Sequence, residues 1–288
     1  MVGYQRPDHF GGRGGELIVM TAYGISIAVS LLVQWVCLTL PVYRTSVRYT
    51  GSINHFYTPA DQTDILLVPK TEDFTVTGTG SHPVWQSIEW QPMVKLDEGG
   101  EDYSSKFKIC YSNTGIYVLF SGEDQRITSE YDEDFGELWN GDVFEVFFHP
   151  ESAVPMSPYK SRTAASYAEY EINALGKELV LFIDRGSDSS QSRYPDRYEG
   201  DRRVKKAVHV SKVPDGTEGR IEGWSAEIYF PFSLLAEGIH AVPRSGAVWR
   251  ANFCRIDYDT GNQIKWSWTP TIKKSFHELT SFLRIQFE

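Results

Sequence analysis

The chain has 288 residues, a formal net charge of −10 and a pI near 5.3. This acidity argues against a nucleic-acid partner, because phosphate binding requires a concentrated basic surface. Aromatic residues make up 14% of the chain, as in aromatic-rich sandwich cores and in β domains that bind flat or amphipathic ligands. The three cysteines show neither a metal-ligand spacing nor a disulfide framework. Cys110 and Cys254 fall inside strand-like runs and should be small buried residues, although a bond between them remains open.

The amino terminus contains one long apolar run, residues 17–40, diluted by a few Ser, Thr and Gln residues. Its length approaches the roughly 20 residues of a membrane span and exceeds the apolar core of a cleavable signal, typically about 7 to 15 residues. We therefore predict that residues 1–41 are a signal or membrane-anchor segment. The protein is then exported to the periplasm, the cell surface or the medium, with membrane anchoring through residues 17–40 as one form. A buried helix of the domain is the alternative.

Residues 42–63 are polar without a clear period and are predicted to be a linker. From residue 64 onwards, strand-like runs alternate with turns at intervals of about 8 to 12 residues. The strand-like runs are residues 64–68, 85–96, 106–111, 116–121, 143–148, 166–174, 178–184, 204–210, 220–230, 248–257, 263–268 and 281–287. Residues 231–236 form the one convincing helical turn, and residues 185–201 read as a surface loop.

These features predict an all-β fold, a two-sheet antiparallel β-sandwich of jelly-roll-like type that spans residues 64–288 and follows the apolar N-terminal segment. Pro92 interrupts one run and therefore predicts an edge strand or a bulge. In the central run, Phe144, Val146 and Phe148 point to one wholly apolar face that should lie on the core.

Two further faces follow from the same alternation. Residues 166–174 should place Ala168, Tyr170 and Ile172 on the core, with Glu169 and Glu171 facing outward. The run 220–230 should likewise place its Trp, Ala, Ile and Phe residues on one inner face.

The entrance to the central strand carries the most suggestive chemistry. Trp139 is followed by Asn-Gly-Asp at residues 140–142, which have turn chemistry because they tolerate tight backbone angles. Glu145 then points to the same side as Val143 and Phe147. An indole and a carboxylate there could stack on, and hydrogen-bond to, a polar ligand with an apolar face. The alternative is a core Trp followed by a strand with one solvated Glu.

Catalytic and metal motifs are weak. Glycoside hydrolysis needs two carboxyls about 5 to 9.5 Å apart across a cleft, and the strand acids are Glu145, Glu169, Glu171 and Glu227. Such acids more often form the wet side of an antiparallel sheet. The histidines are scattered, and no nucleophile elbow, phosphate loop or dinucleotide fingerprint is present. The acidic loops at residues 132–134 and 257–259 could hold calcium, although they lack the spacing of a helix-loop-helix site.

The pattern Trp139-x-x-Asp142-x-x-Glu145 before a hydrophobic strand resembles the central motif of family 9 carbohydrate-binding modules. Trp85 resembles the family's early buried Trp. The agreement continues in order through residues 167–176, 223–232, 249–257 and 266–287. The resemblance therefore covers roughly residues 64–288 and implies a β-sandwich.

In sugar-binding members of that family, two aromatic rings clamp the terminal sugar of a glycan, and polar side chains read its hydroxyls. The resemblance implies that Trp139 is the first clamp aromatic, that Glu145 binds hydroxyls and that Phe276 is the second aromatic. Two positions depart from the family pattern. Lys273-Lys274 stands where an amide is expected, and Glu171 stands where a basic side chain sits in binding members.

The sequence thus predicts an exported, non-catalytic domain that binds an oligo- or polysaccharide. No cofactor is required, although calcium could be bound. One rival is a glycan-active hydrolase, or a domain associated with one, that uses strand carboxylates. The other is a structural or partner-binding sandwich without a sugar ligand, which would expose an apolar patch.

Overall fold

The computed structural model describes residues 65–151, 166–185, 190–214, 216–269 and 275–288, all within one compact unit. The predicted leader (residues 1–41) and linker (residues 42–63) lie outside the described residues, so both remain predictions. Within the described ranges, no helix has the length and apolar character needed to cross a membrane.

Strands dominate the described part of the chain. The strands are β1 Leu66–Val68, β2 Gln91–Pro92, β3 Val94–Lys95, β4 Ser105–Tyr111, β5 Gly115–Glu123, β6 Val143–Pro150, β7 Tyr167–Asn173, β8 Glu178–Arg185, β9 Ser190–Arg193, β10 Lys205–Lys212, β11 Ile221–Pro231, β12 Val248–Asp257, β13 Ile264–Ser267 and β14 Leu283–Phe287. The one α-helix among these residues, α1, is Phe232–Gly238. Short 3-10 turns occur at Pro83–Ser87, Leu138–Asn140, Gly200–Arg202 and Leu279–Ser281.

The strands form two sheets. The large sheet has the order β1-β14-β12-β6-β7-β8-β9, with β13 paired to both β12 and β3, and the small sheet has the order β10-β11-β5-β4-β2. Neighbouring strands are antiparallel except β1 and β14, which run parallel. The predicted all-β sandwich is confirmed, and Pro92 lies in the edge strand β2, where a missing N–H is tolerated.

The core lies between the two sheets. Phe144 of β6 stacks on Phe120 of β5 with ring centroids 4.7 Å apart. Phe148 meets Phe230 of β11 edge to face at 5.5 Å. Val146 belongs to the same buried cluster. The inward face predicted for the central strand is therefore confirmed.

The outer face of the small sheet is covered by residues 74–85, which Glu227 holds in place. Glu227 is fully buried and accepts hydrogen bonds from Trp85 Nε1 (2.7 Å) and from the backbone N–H groups of Thr77 (2.6 Å) and Gly78 (3.0 Å). Because these donors replace the water that burial removes, the carboxylate is stabilised where it lies. Glu227 is therefore a structural residue rather than one of a catalytic pair.

The predicted surface loop at residues 185–201 contains regular structure. Ser190–Arg193 forms β9, which pairs with β8 at the edge of the large sheet, and a 3-10 turn follows at Gly200–Arg202. The loop prediction failed because Ser-Gln-Ser-Arg has no apolar alternation. Backbone pairing with the exposed edge of β8 supplies the stabilisation instead.

Both described cysteines are buried and unbonded. Cys110 packs with Trp85 outside the small sheet, whereas Cys254 belongs to the cluster outside the large sheet. The two thiols thus lie on opposite outer faces of the sandwich. Their predicted burial is confirmed, and a disulfide between Cys110 and Cys254 is excluded.

Candidate functional site

A cleft of about 560 Å³ lies on the outer face of the large sheet. Side chains of β6, β7 and β8 that point away from the core contribute to its lining, together with the turn Leu138–Asn140 and residues 275–277. Its volume falls within the roughly 300 to 1,000 Å³ of small-molecule sites. The structure brings Trp139, Glu145 and Phe276 to this one cleft.

Trp139 stands at the mouth of the cleft, with 38% of its surface exposed. Its neighbour Leu138 is fully buried and anchors the turn. Tyr258 Oη donates a hydrogen bond to the Trp139 carbonyl oxygen (3.2 Å), and the Trp139 backbone also bonds to Glu171. The indole is therefore presented to solvent by a backbone that is fixed on both sides.

The Asn-Gly-Asp segment differs from the tight turn that the sequence predicts. Gly141 has an extended backbone (φ −147°, ψ −170°) rather than tight turn angles. A Cβ atom at this position would meet the Thr128 carbonyl oxygen at 2.8 Å, so glycine is required by close approach. Asp142 accepts hydrogen bonds from the backbone N–H groups of Thr128 and of Tyr258 (2.8 Å). Thr128 and Tyr258 belong to two distant loops, and Asp142 joins these loops at the start of β6.

Phe276 is more deeply placed than Trp139, with only 6% of its surface exposed. Its ring packs against Phe147, with centroids 6.4 Å apart, in the apolar cluster outside the large sheet. Both predicted aromatics line the cleft, but Trp139 is the one freely offered to a ligand. Lys273 and Lys274 lie outside the described residues.

Three carboxylates meet inside the cleft. Glu145 of β6 lies directly opposite Glu171 of β7, and Glu169 occupies the same face one pair further along. Side chains at directly opposed positions have Cβ atoms about 4.5 to 5.5 Å apart, and like charges there are destabilising. The exposed fractions of Glu145, Glu169 and Glu171 are only 3%, 4% and 2%. The three acids lie on the outward face of the sheet, as predicted. They are not exposed to solvent as expected for the wet side of a sheet, because other parts of the chain cover them.

Burial in this cleft favours protonated carboxyls. It raises the pKa of Glu169 to about 7. Burial raises the pKa of Glu145 well above its usual value, and Glu169 adds to the effect while Lys265 opposes it. The pKa of Glu171 is raised first by burial and then by the charges of Glu145 and Glu169. Strongly shifted carboxyls inside one cleft are typical of functional sites.

Two oxygen atoms in this cluster are unsatisfied. Glu169 and Glu171 are hydrogen-bonded to each other, yet the Oε2 atom of each has no hydrogen-bond partner among the described residues. His277 Nδ1 lies 3.8 Å from Glu169 Oε2, beyond hydrogen-bond distance. Because buried oxygens without donors are costly, the pair has capacity to accept hydrogen bonds from a ligand.

A smaller pocket of about 220 Å³ adjoins the cleft. The two cavities share Trp139, Leu181 and Ser192 as lining residues. Tyr194 also lines the smaller pocket and is 55% exposed. The two large exposed aromatics of this region, Trp139 and Tyr194, thus line adjoining cavities.

The acidic loop at residues 257–259 belongs to a separate cluster. One oxygen each from Asp124, Asp257 and Asp259 lies within 4.8 Å of the others. Arg255 Nη2 lies 2.6 Å from Asp257 and 3.1 Å from Asp124, and Arg126 Nε lies 3.2 Å from Asp259. Burial is the main reason that the pKa of Asp124 rises to about 8.

Guanidinium groups of the chain therefore already pair with these aspartates. In the other acidic loop, Asp134 binds Lys206 (3.0 Å) and Arg203 (2.8 Å). Asp134 is thus already paired with two cations, and calcium binding at either loop stays a prediction.

A family model described as carbohydrate family 9 binding domain-like matches residues 76–228. The chain belongs to this family. A "putative carbohydrate-binding protein" of Bacteroides uniformis covers 77% of this chain and 98% of its own, with TM-score 0.58 and 18% identity. A family 9 module of Caldicellulosiruptor kristjanssonii in complex with cellotriose covers 78% and 94%, with TM-score 0.52 and 13% identity. These similarities show a shared fold. A search among curated proteins gave no significant match.

The family 9 match spans Trp139 and all three cleft acids, while Phe276 lies beyond it. Sequence reasoning placed Trp139 and Glu145 near each other and, through the family resemblance, put Glu171 at a binding position, but it assigned Glu169 only to the outer face of the sheet. The available signal for Glu169 was its outward position on the strand after that of Glu145. The binding roles assigned from sequence to Trp139, Glu145 and Phe276 stay predictions.

Proposed function

We propose that this family 9 domain is a non-catalytic module that binds the terminal sugar of an oligo- or polysaccharide in the cleft. The supporting observation is that a solvent-presented Trp139 and buried carboxylates share one cavity of sugar size. An indole can lie flat against the C–H face of a pyranose, and carboxylates accept hydrogen bonds from hydroxyls. That pairing of a ring and acceptors suits an amphipathic ligand.

Each predicted residue has a distinct role in this proposal. Trp139 forms the stacking wall, and Phe276 closes the opposite apolar side with the small part of its ring that remains exposed. Glu145 lies on the floor of the cleft and accepts hydrogen bonds from the hydroxyls of the sugar. Stacking supplies most of the affinity, because burial of aromatic anchors dominates such interfaces, and the acid supplies selectivity.

A second sugar unit would occupy the smaller pocket beside Tyr194. The shared lining at Trp139, Leu181 and Ser192 supports this extension, because it places the two cavities side by side. We therefore expect disaccharides and longer chains to bind more tightly than monosaccharides.

Calorimetry with soluble oligosaccharides that have free reducing ends, cellotriose among them, tests the proposal. Trp139→Ala should weaken binding by about 2 kcal/mol or more, as for buried aromatic anchors. Glu145→Gln should weaken it less, because the amide keeps an acceptor, although hydrogen bonds to charged groups contribute about 1.5 to 3 kcal/mol. Phe276→Ala should have a measurable effect only if its ring contacts the sugar.

The matched control is Trp90→Ala, which removes a partly buried Trp that packs in the cluster outside the small sheet. It should leave sugar affinity unchanged. The proposal is wrong if no sugar binds at millimolar concentration, or if Trp139→Ala binds as well as the parent protein.

One observation favours glycoside hydrolysis as a second candidate, namely two acids with raised pKa values on directly opposed positions, Glu145 and Glu171. A hydrolase divides its carboxyls into a proton donor and an ionised partner. Release of new reducing ends from the same oligosaccharides, abolished by Glu145→Gln, would establish it. Unchanged oligosaccharides after prolonged incubation would eliminate it.

Export is proposed on the strength of residues 17–40, which are too apolar to remain in water uncovered. A glycan-binding module would then meet its ligand outside the cytosol. Fractionation should find the protein in the membrane, the periplasm or the medium. Recovery of the full-length chain as a soluble cytosolic protein would contradict this.

A further inference from the structure

Resting on the proposed function, a narrower ligand class follows from the floor of the cleft. We propose that the terminal sugar preferred by this cleft carries a protonated amine, so that the ligand is a glycan ending in an amino sugar. The position of the amine is above Glu169 and Glu171, beside the sugar ring that stacks on Trp139.

The first support is the charge of the lining. Among the described lining residues, three carboxylates (Glu145, Glu169 and Glu171) face one lysine, Lys265, and one histidine, His277. A neutral sugar would displace water from these acids without offering any opposite charge. An ammonium group replaces the lost hydration with charge-assisted hydrogen bonds, which are about twice as strong as neutral ones.

The second support is the pair of unsatisfied oxygens. Glu169 and Glu171 are almost fully buried, and the Oε2 atom of each lacks a donor among the described residues. An ammonium group carries three N–H donors and no acceptor. It can therefore satisfy both oxygens at once, whereas a hydroxyl offers a single donor.

The third support is geometric. The one described set of three acidic oxygens close enough to surround a single ion, all within 4.8 Å, is Asp124, Asp257 and Asp259. The cleft acids are spread more widely than this. A bare metal ion would leave part of the cleft cluster unpaired, but an amine on a pyranose brings its charge together with ring hydroxyls that reach the remaining carboxyl.

Proton release gives this inference a signature of its own. Burial raises the pKa values of the cleft acids and so favours their protonated forms in the sugar-free protein. An incoming ammonium favours the ionised form and expels a proton to solvent. The titratable and charged groups that face it are Glu145, Glu169, Glu171, Lys265 and His277. Binding of a neutral sugar would release fewer protons or none.

The test compares three β-1,4-linked disaccharides that differ at C2, namely cellobiose with a hydroxyl, N,N′-diacetylchitobiose with an acetamide and chitobiose with a free amine. Calorimetry of the full chain at pH 6, where an aliphatic amine is protonated, measures the three affinities. We expect the amine form to bind at least about tenfold more tightly than cellobiose, equal to about 1.4 kcal/mol. Titration in buffers of different ionisation enthalpy should detect more proton release with the amine form than with either of the other two sugars.

Two variants and one control locate the effect. Glu169→Gln and Glu171→Gln keep the shape of each side chain but remove its charge, so each should reduce the amine preference several-fold. Glu218→Gln, an exposed acid on the turn before β11 of the other sheet, should retain the full preference. Thermal unfolding confirms that each variant is folded.

The outcomes separate this inference from the proposed function. If cellobiose binds as tightly as the amine form and both depend on Trp139, the amino-sugar inference is overturned while sugar binding stands. If none of the three binds, sugar binding itself fails. If the amine preference is equal in Glu169→Gln, Glu171→Gln and Glu218→Gln, it reflects only the net negative charge of the protein, and the site assignment is refuted.

Discussion

Replacing Glu169 by Gln should make the sugar-free protein more stable at alkaline pH. The ordinary pKa of 4.5 applies to the unfolded chain, whereas burial raises the folded-state value to about 7. A carboxyl with a raised folded-state pKa contributes its full stability below 4.5 and loses it as the pH rises through about 7. Since one pKa unit corresponds to about 1.4 kcal/mol, ionisation of Glu169 reduces the free energy of unfolding by on the order of 3 kcal/mol.

Thermal unfolding of the parent protein and Glu169→Gln at pH 4 and pH 8 measures this effect. At pH 4 the two proteins should have similar midpoints, because a protonated Glu and a Gln are both neutral and similar in shape. At pH 8 the variant should be more stable, by roughly 2 to 4 °C for each kcal/mol in a domain of this size.

Glu151→Gln is the matched control, because its shift has the opposite sign. Hydrogen bonds from Arg284 and the charge of Arg250 hold the pKa of Glu151 below its usual value. Ionised Glu151 therefore stabilises the folded protein above the unfolded-state pKa, and this contribution is lost as the pH falls. Glu151→Gln should accordingly destabilise the protein at pH 8. The reasoning is refuted if Glu169→Gln shows no gain at pH 8, or an equal gain at both pH values.

Three further substitutions test other parts of the fold and site. Arg255→Met leaves two buried aspartates unpaired and should reduce the free energy of unfolding by about 3 to 5 kcal/mol, measured by chemical denaturation. A loss below about 1 kcal/mol would contradict a structural role for Arg255. Gly141→Ala forces a Cβ against the Thr128 carbonyl and should lower the free energy of unfolding by about 1 to 3 kcal/mol. Sugar binding measured by calorimetry should weaken as well, whereas unchanged stability would show that the close contact is relieved. Tyr194→Ala should weaken trisaccharide binding and leave monosaccharide binding unchanged, and equal losses would argue against a second sugar unit.

The core of this sandwich was accessible from local patterns. The alternation of Phe144, Val146 and Phe148 identifies one apolar face, and a strand with such a face has to lie on another layer. The position of Pro92 identified an edge for an equally local reason, since proline lacks the N–H that an inner strand requires. The proximity of Trp139 and Glu145 follows from their separation of six residues.

The environment of the acids could not be read from alternation. The alternation of side chains along a strand predicts which side of the sheet Glu169 occupies. The residues that cover that side, such as Phe276, lie more than a hundred positions away in the sequence. Glu227 shows the same limit, because its donors lie about 150 residues earlier, at Thr77 and Gly78. Contacts between distant segments decide whether an outward acid is solvated, structural or part of a cleft.

The parallel pairing of β1 with β14 has a mechanical consequence. Leu66, Leu67 and Val68 are bonded along β14 of the large sheet, and the next residues exchange hydrogen bonds with Tyr111 of the small sheet. A pull along the axis of β1 would load these bonds together, in shear, instead of opening them one at a time. The segment that contains β1 is thereby attached to both sheets. Tension applied to the preceding chain would be shared between the two sheets before any strand could peel away.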